Sequence, residues 1–117
     1  MKIKIKVTED NYFIKLMMIL NNLPPFDRLR PQELILYSHL LRVNHKYRNI
    51  PLKERNKLIF NYEVKQDIAS RMGIKSIGVY NIISRLKNLD LLDKDGLIPK
   101  YTLGKARELL FVFEEDE

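Results

Sequence analysis

The side chains best suited to chemistry in this chain are amides, hydroxyls and cations, and the most promising group lies between Lys75 and Arg85. An Asn side chain such as Asn81 can donate to and accept from an adenine edge at once. A Tyr such as Tyr80 can bond a phosphate or pack on a thymine methyl, and Lys or Arg can neutralise phosphates. Other chemistries lack their parts. Cys is absent, which removes disulfides, thiolate metal sites and Cys nucleophiles. Two histidines, His39 and His45, are too few for a metal centre. No Ser, His and acid spacing marks a nucleophile, and no carboxylate pair sits in an acid/base context. Gly104-Lys105 has no phosphate-cradling glycines before it, so it is no P-loop. The expectation is a protein that is not an enzyme and uses neither cofactor nor metal.

Charge points the same way. The 117 residues carry a net charge of +6, unevenly spread. Residues 108–117 hold five acids and no cation, whereas the first 107 hold all 21 Lys and Arg against 10 acids. A small body with that excess attracts polyanions, of which nucleic acid is the commonest inside cells. No uncharged apolar run is longer than that of Leu16 to Leu20, which is far too short to span a membrane, and the N-terminus lacks signal-peptide organisation. The expected location is therefore the cytoplasm, of a bacterial or phage-infected cell.

Hydrophobic spacing suggests the elements that must position these groups. KIKIKV over 2–7 alternates as a half-buried strand does. Thr8, followed by Glu9 and Asp10, resembles an N-cap. Tyr12, Phe13, Leu16, Ile19 and Leu20 then predict a helix to about Asn22, stopped by Pro24 and Pro25. Pro31 and Glu33 suit the start of a second helix, from Gln32 to about Lys46, built on Leu34, Ile35, Tyr37, Leu41 and Val43. Its apolar face is broad, so burial on more than one side is expected, and His39 within it is expected to be a packed or surface residue. Residues 42–57 read as a basic loop of net charge +5, either solvated or clamped on a phosphate backbone, with Leu58–Phe60 a small strand. The LLFVF run supports a strand over 109–113, with a helix as the alternative by propensity, and the strand would give 2–7 a partner. The EEDE end is a solvating tail or a competitor for the basic surface. There is no repeat or linker, so a single domain over 1–117 is expected.

Residues 66–92 are the most informative. Val64, Ile68, Ala69 and Met72 mark one short helix, with Gly73 as its left-handed cap and Ile74 closing the turn. Ser76 falls near the start of a second helix, where its hydroxyl could cap or meet a phosphate. Val79, Ile82, Ile83, Leu86 and Leu89 give that helix its apolar side. Two short helices joined by a tight turn containing Gly match a helix-turn-helix. Asp95-Gly96 then signals a hairpin between Leu91-Leu92 and Leu97 to Leu103.

On Ile68-Ala69, Met72-Gly73-Ile74, Val79, Ile82-Ile83, Arg85-Leu86, Leu91-Leu92 and the hairpin, the chain resembles the winged helix-turn-helix superfamily. It is most like MarR-type regulators and the N-terminal domains of phage and plasmid replication initiators. The resemblance covers 28–103, including LRPQELILYSHLL as a first helix, and leaves 1–27 and 104–117 as terminal extensions. It implies an α+β fold of three to four helices with a small antiparallel β-sheet, or wing, and a helix at about 76–89 that enters a major groove. The DNA-binding candidates it implies are Lys75, Ser76, Ile77, Gly78, Tyr80, Asn81 and Ser84, with Arg85 on phosphate and with Lys94, Lys100 and Lys105 at or near the wing. Ile77 and Gly78 depart from the polar pattern of the family, and Asp93 and Asp95 beside Lys94 oppose phosphate. An exposed Ile77, with Leu89, is equally what a protein-docking face offers. The expected function is double-stranded DNA binding in transcription regulation, by a homodimer that uses the 8–22 helix or the terminal strands. The alternatives are a replication-initiation module and a winged-helix adaptor that binds protein instead of DNA.

Overall fold

Residues 31–46 carry apolar side chains on several sides, and covering all of them organises the rest of the chain. A computed structural model describes residues 1–116 and contains five α-helices and one small antiparallel sheet, an α+β arrangement. The helices are α1 (Tyr12–Leu20), α2 (Pro31–Lys46), α3 (Leu52–Ile59), α4 (Tyr62–Met72) and α5 (Ser76–Asn88). The strands are β1 (Leu92–Asp93) and β2 (Gly96–Leu97), and single 3-10 turns occupy Phe26–Arg28 and Pro99–Tyr101. Helix α2 touches each of the other four helices. Leu36, Tyr37, Leu40 and Leu41 are almost entirely buried in it, each contributing about 2 kcal/mol of transfer free energy. Pro31 opens the helix where a missing N–H costs nothing, and Glu33 Oε1 accepts the Arg30 N–H at 3.2 Å. At the other side of the core the Tyr37 hydroxyl donates to the Tyr101 carbonyl at 2.7 Å. Burial drives the acidity of that hydroxyl far down.

Several expectations are corrected. The helix count is five, not three to four, because residues 52–59 are helical. The basic loop expected over 42–57 is the end of α2, a turn and α3, and Leu58–Phe60 is a helix end instead of a strand. Pro51 directly precedes α3, and Arg55 then ties the turn together. Its guanidinium donates to the Ile50 carbonyl (3.1 Å), Asn44 Oδ1 (3.2 Å) and the Arg48 carbonyl (3.2 Å). A cation that suggested phosphate thus serves the fold. Helix α1 is no extension: Tyr12, Phe13, Leu16 and Met17 pack into the core against α2. It starts at Tyr12, after a turn in which Thr8 and Asn11 bond reciprocally, each side chain accepting the other's N–H.

Neither terminal strand forms. Residues 2–7 and 109–113 are exposed and belong to no sheet, since a strand needs a ladder partner and none of the described residues supplies one. The hairpin also differs from its expected register. Leu92 pairs with Leu97 and Asp93 with Gly96, so the turn is Lys94-Asp95. Asp93 Oδ1 sets it by accepting the N–H groups of Asp95 (2.8 Å) and Gly96 (3.0 Å). The second strand ends at Leu97 instead of running to Leu103, because Pro99 cannot extend a ladder and starts a 3-10 turn.

Both stops around α5 follow one design. After α4, Gly73 adopts φ 68°, its N–H donates to the Ser70 carbonyl, and the Ile74 N–H reaches the Ala69 carbonyl at 3.0 Å. After α5, Asp90 takes φ 59°, bonds the Lys87 carbonyl, and the Leu91 N–H reaches the Leu86 carbonyl at 3.1 Å. These are paired Schellman motifs, the first with Gly and the second with a strained L-residue. Asp90→Gly is therefore expected to stabilise the fold by about 0.5–1 kcal/mol, the relief of the left-handed cost less the added chain entropy. A urea midpoint that stays put or falls would refute it.

Candidate nucleic-acid interface

Helix α5 divides cleanly. Val79, Ile82, Ile83 and Leu86 are buried, and at 100° per residue this places Ile77, Tyr80, Asn81, Ser84 and Asn88 on the opposite face, all exposed. The helix contains no acid and two cations, Arg85 and Lys87. Ile77 is 64% exposed and Tyr80 40%. A three-residue turn, Gly73–Lys75, joins α4 to the start of α5, and the two helices pack against each other. The N-cap is Lys75, whose side chain can cap nothing, so Ser76 opens the helix without a side-chain cap. The Gly78 N–H donates to the Lys75 carbonyl at 2.9 Å, which leaves the N–H groups of Ser76 and Ile77 for solvent or an anion.

Of the residues singled out from sequence, Lys75, Ile77, Tyr80, Asn81 and Ser84 lie exposed on the first half and outward side of α5, with Ser76 partly buried. Gly78 is partly covered, its position 3.4 Å from Ile74 Cδ1 were a Cβ present. Arg85 is brought instead to α2: its Nε lies 3.2 Å from Glu33 Oε2, a carboxylate only 3% exposed. Lys94 is exposed at the tip of the hairpin, and Lys100 lies over the Tyr101 ring at 4.8 Å. Leu89, offered with Ile77 as an outer-face residue, is partly buried against the core.

Two cations escaped the sequence reading. Lys65 of α4 holds its ammonium 4.4 Å from the centre of the Tyr80 ring. Lys87 lies close enough to Lys65 to lower its pKa, after burial, which is the larger cause. Together they border the outward face of α5. Nothing local in the sequence joins Lys65 to Tyr80, and only the turn after α4 does.

A second polar cluster lies between α2 and α4. Asp67 meets Arg71 Nε at 2.9 Å and Arg42 Nη2 at 3.7 Å, while Arg42 Nε points to His39 Nδ1 at 3.4 Å. Burial, then Arg42 and Arg71, hold His39 down to about 4, so it is a neutral acceptor at neutral pH. The cluster pairs its charges within the fold but leaves the buried Arg42 Nη2 without a hydrogen-bond partner. Among the described residues there is no cluster of metal-ligating side chains, and no helix long and apolar enough to cross a membrane. Comparison of the chain with protein-family models, with curated proteins and with solved structures gave no match.

Proposed function

We propose that the chain is a winged helix-turn-helix protein that binds duplex DNA, with α4 and α5 as the helix pair and the β1–β2 hairpin as a short wing. The observation that carries this reading is the outward face of α5. It is acid-free, offers an amide, a phenol and hydroxyls, is bordered by Lys65 and Lys87, and starts at an uncapped helix N-terminus. In a major groove Asn81 reads a base edge, Tyr80 and Ser84 meet phosphate or thymine methyl, and Lys75 and Lys65 neutralise the backbone. The wing adds little, since Lys94 stands between two acids. A regulatory role in transcription, exercised as a homodimer on paired half-sites, fits a single short reading helix. Footprints would separate this from a replication role, because an operator overlaps a promoter and an origin carries iterated sites.

Affinity for random duplexes should fall steeply with salt, as several phosphate contacts require. Asn81→Ala should cost about 1–3 kcal/mol of discrimination at one base pair, whereas Lys75→Ala should weaken all sequences alike. Binding that is absent at low ionic strength, or insensitive to salt, would sink the reading.

One observation favours a second reading. A bulky aliphatic side chain at 64% exposure, Ile77, suits a protein-docking face. Ile77→Asp should then abolish capture of a nuclease-resistant partner, an anchor being worth about 2 kcal/mol or more. On the DNA reading, no such partner exists and only DNA affinity changes.

A further inference from the structure

The outward face of α5 carries readers for one kind of base pair and none for the other. At 100° per residue, Ile77, Asn81, Ser84 and Asn88 fall within about 60° of one another, opposite the buried Val79, Ile82, Ile83 and Leu86. In a major groove, guanine is read by a guanidinium or ammonium on its O6 and N7, and cytosine by a carboxylate on its N4 amine. Adenine is read by an amide on its N6 and N7, and thymine by apolar contact with its methyl group.

The stripe offers neither reader of a G·C pair. Helix α5 contains no acid, so a cytosine amine finds no carboxylate. Its one arginine is held elsewhere: Arg85 Nε lies 3.2 Å from Oε2 of Glu33, a carboxylate only 3% exposed. Turning Arg85 toward a base would leave that buried charge without its partner, a strongly unfavourable step. Lys87 stands in the last turn and roughly 90° around the helix from the middle of the stripe, whereas the first half of such a helix meets the bases. Lys65 holds its ammonium 4.4 Å from the centre of the Tyr80 ring, and Lys75 is the N-cap residue, outside the stripe and placed for phosphate.

Both readers of an A·T pair are present. Asn81 offers an exposed amide, and Ile77 an aliphatic side chain at 64% exposure. In water that side chain gains nothing, but covered by a methyl group it does. The two residues are one helical turn apart, about 6 Å along the axis against about 3.4 Å per base step, so their contacts fall within about two base pairs.

We propose that α5 reads A·T base pairs, with Asn81 bidentate on adenine N6 and N7 and Ile77 against a neighbouring thymine methyl, and that G·C pairs at those positions are rejected. It rests on the duplex-binding reading above and adds the composition of the target.

Selection from random duplexes should return sites with A·T at the two contacted positions. On such a site, deoxyuridine in place of the contacted thymine removes only the methyl group. It should cost wild type about fourfold in affinity, the worth of one buried methyl, and cost Ile77→Ala nothing. Replacing the contacted adenine by its 7-deaza analogue removes the N7 acceptor. That should cost wild type about fivefold and Asn81→Ala nothing. Both side chains are exposed, so neither substitution disturbs the core. Selected sites with G·C at those positions, or losses that persist undiminished in the two variants, would overturn the proposal. Salt-dependent binding without base preference would also overturn it, while leaving duplex binding itself standing. No binding at low ionic strength would remove both.

Discussion

Gly96→Ala should cost at least about 3 kcal/mol of folding free energy, combining steric overlap with backbone strain. Gly96 stands at φ 128°, a conformation in which an L-residue is strained whatever the space around it. Space is lacking too. A Cβ there would sit 2.7 Å from Phe60 Cε2 and 3.0 Å from the Asn56 amide. Phe60 follows α3 and Asn56 is buried within it, so relief requires the hairpin to lift from α3. Urea denaturation of a graded set checks the cause. Gly104→Ala, in open space and without positive φ, should stay within about 0.5 kcal/mol, like other surface substitutions. Gly73→Ala, with positive φ but nothing within 4 Å, should cost about 1 kcal/mol. Equal costs at 96 and 73 would show that the contact with α3 contributes nothing.

Arg85→Ala should destabilise the fold by about 2–3 kcal/mol, near the lower end of the range for breaking a buried ion pair because Arg85 itself is half exposed. The cost arises at Glu33. Its carboxylate is buried, with one oxygen on the Arg30 N–H and the other on Arg85. Removing the guanidinium leaves that charge with a single backbone donor, the Arg30 N–H. Glu33→Gln in the Arg85→Ala background should recover about 1 kcal/mol, a coupling measurable by a double-mutant cycle. The same residue was a phosphate-contact candidate on sequence grounds, and the two roles separate experimentally. If Arg85→Ala weakens DNA binding without moving the urea midpoint, the ion pair is not what holds it.

The parts legible in the sequence are those whose signals are local. Gly73 followed by an apolar residue five positions after Ala69 marks a Schellman stop, and the spacing of Val79, Ile82, Ile83 and Leu86 fixes the buried side of α5. The outward face follows by subtraction, so most of the candidate site was readable. Helix α3 was not, because its eight residues carry mainly Lys, Glu, Arg and Asn, and its buried Ile59 looks like part of a short strand. Pro51 ahead of a run of good helix formers was the available clue. Roles set across the fold were hidden for a different reason. Arg85 meets a carboxylate 52 residues upstream, Lys65 covers a ring 15 residues downstream, and Arg55 serves one acceptor in α2 and two in the turn that follows it. The terminal alternation was real as a pattern and misleading as an intrachain strand, since period two describes a residue's two faces and not what sits beside the backbone.

The two left-handed stops at Gly73 and Asp90 bear on how such a surface can change over generations. They set where α5 begins and ends through backbone bonds alone, and the helix is fastened by Val79, Ile82, Ile83 and Leu86. Ile77, Tyr80, Asn81 and Ser84 therefore hold neither the ends nor the packing. Those four positions form a panel that can be rewritten, by selection or from a randomised library, while the frame around it stays put. A new binding preference could arise there without passing through an unfolded ancestor.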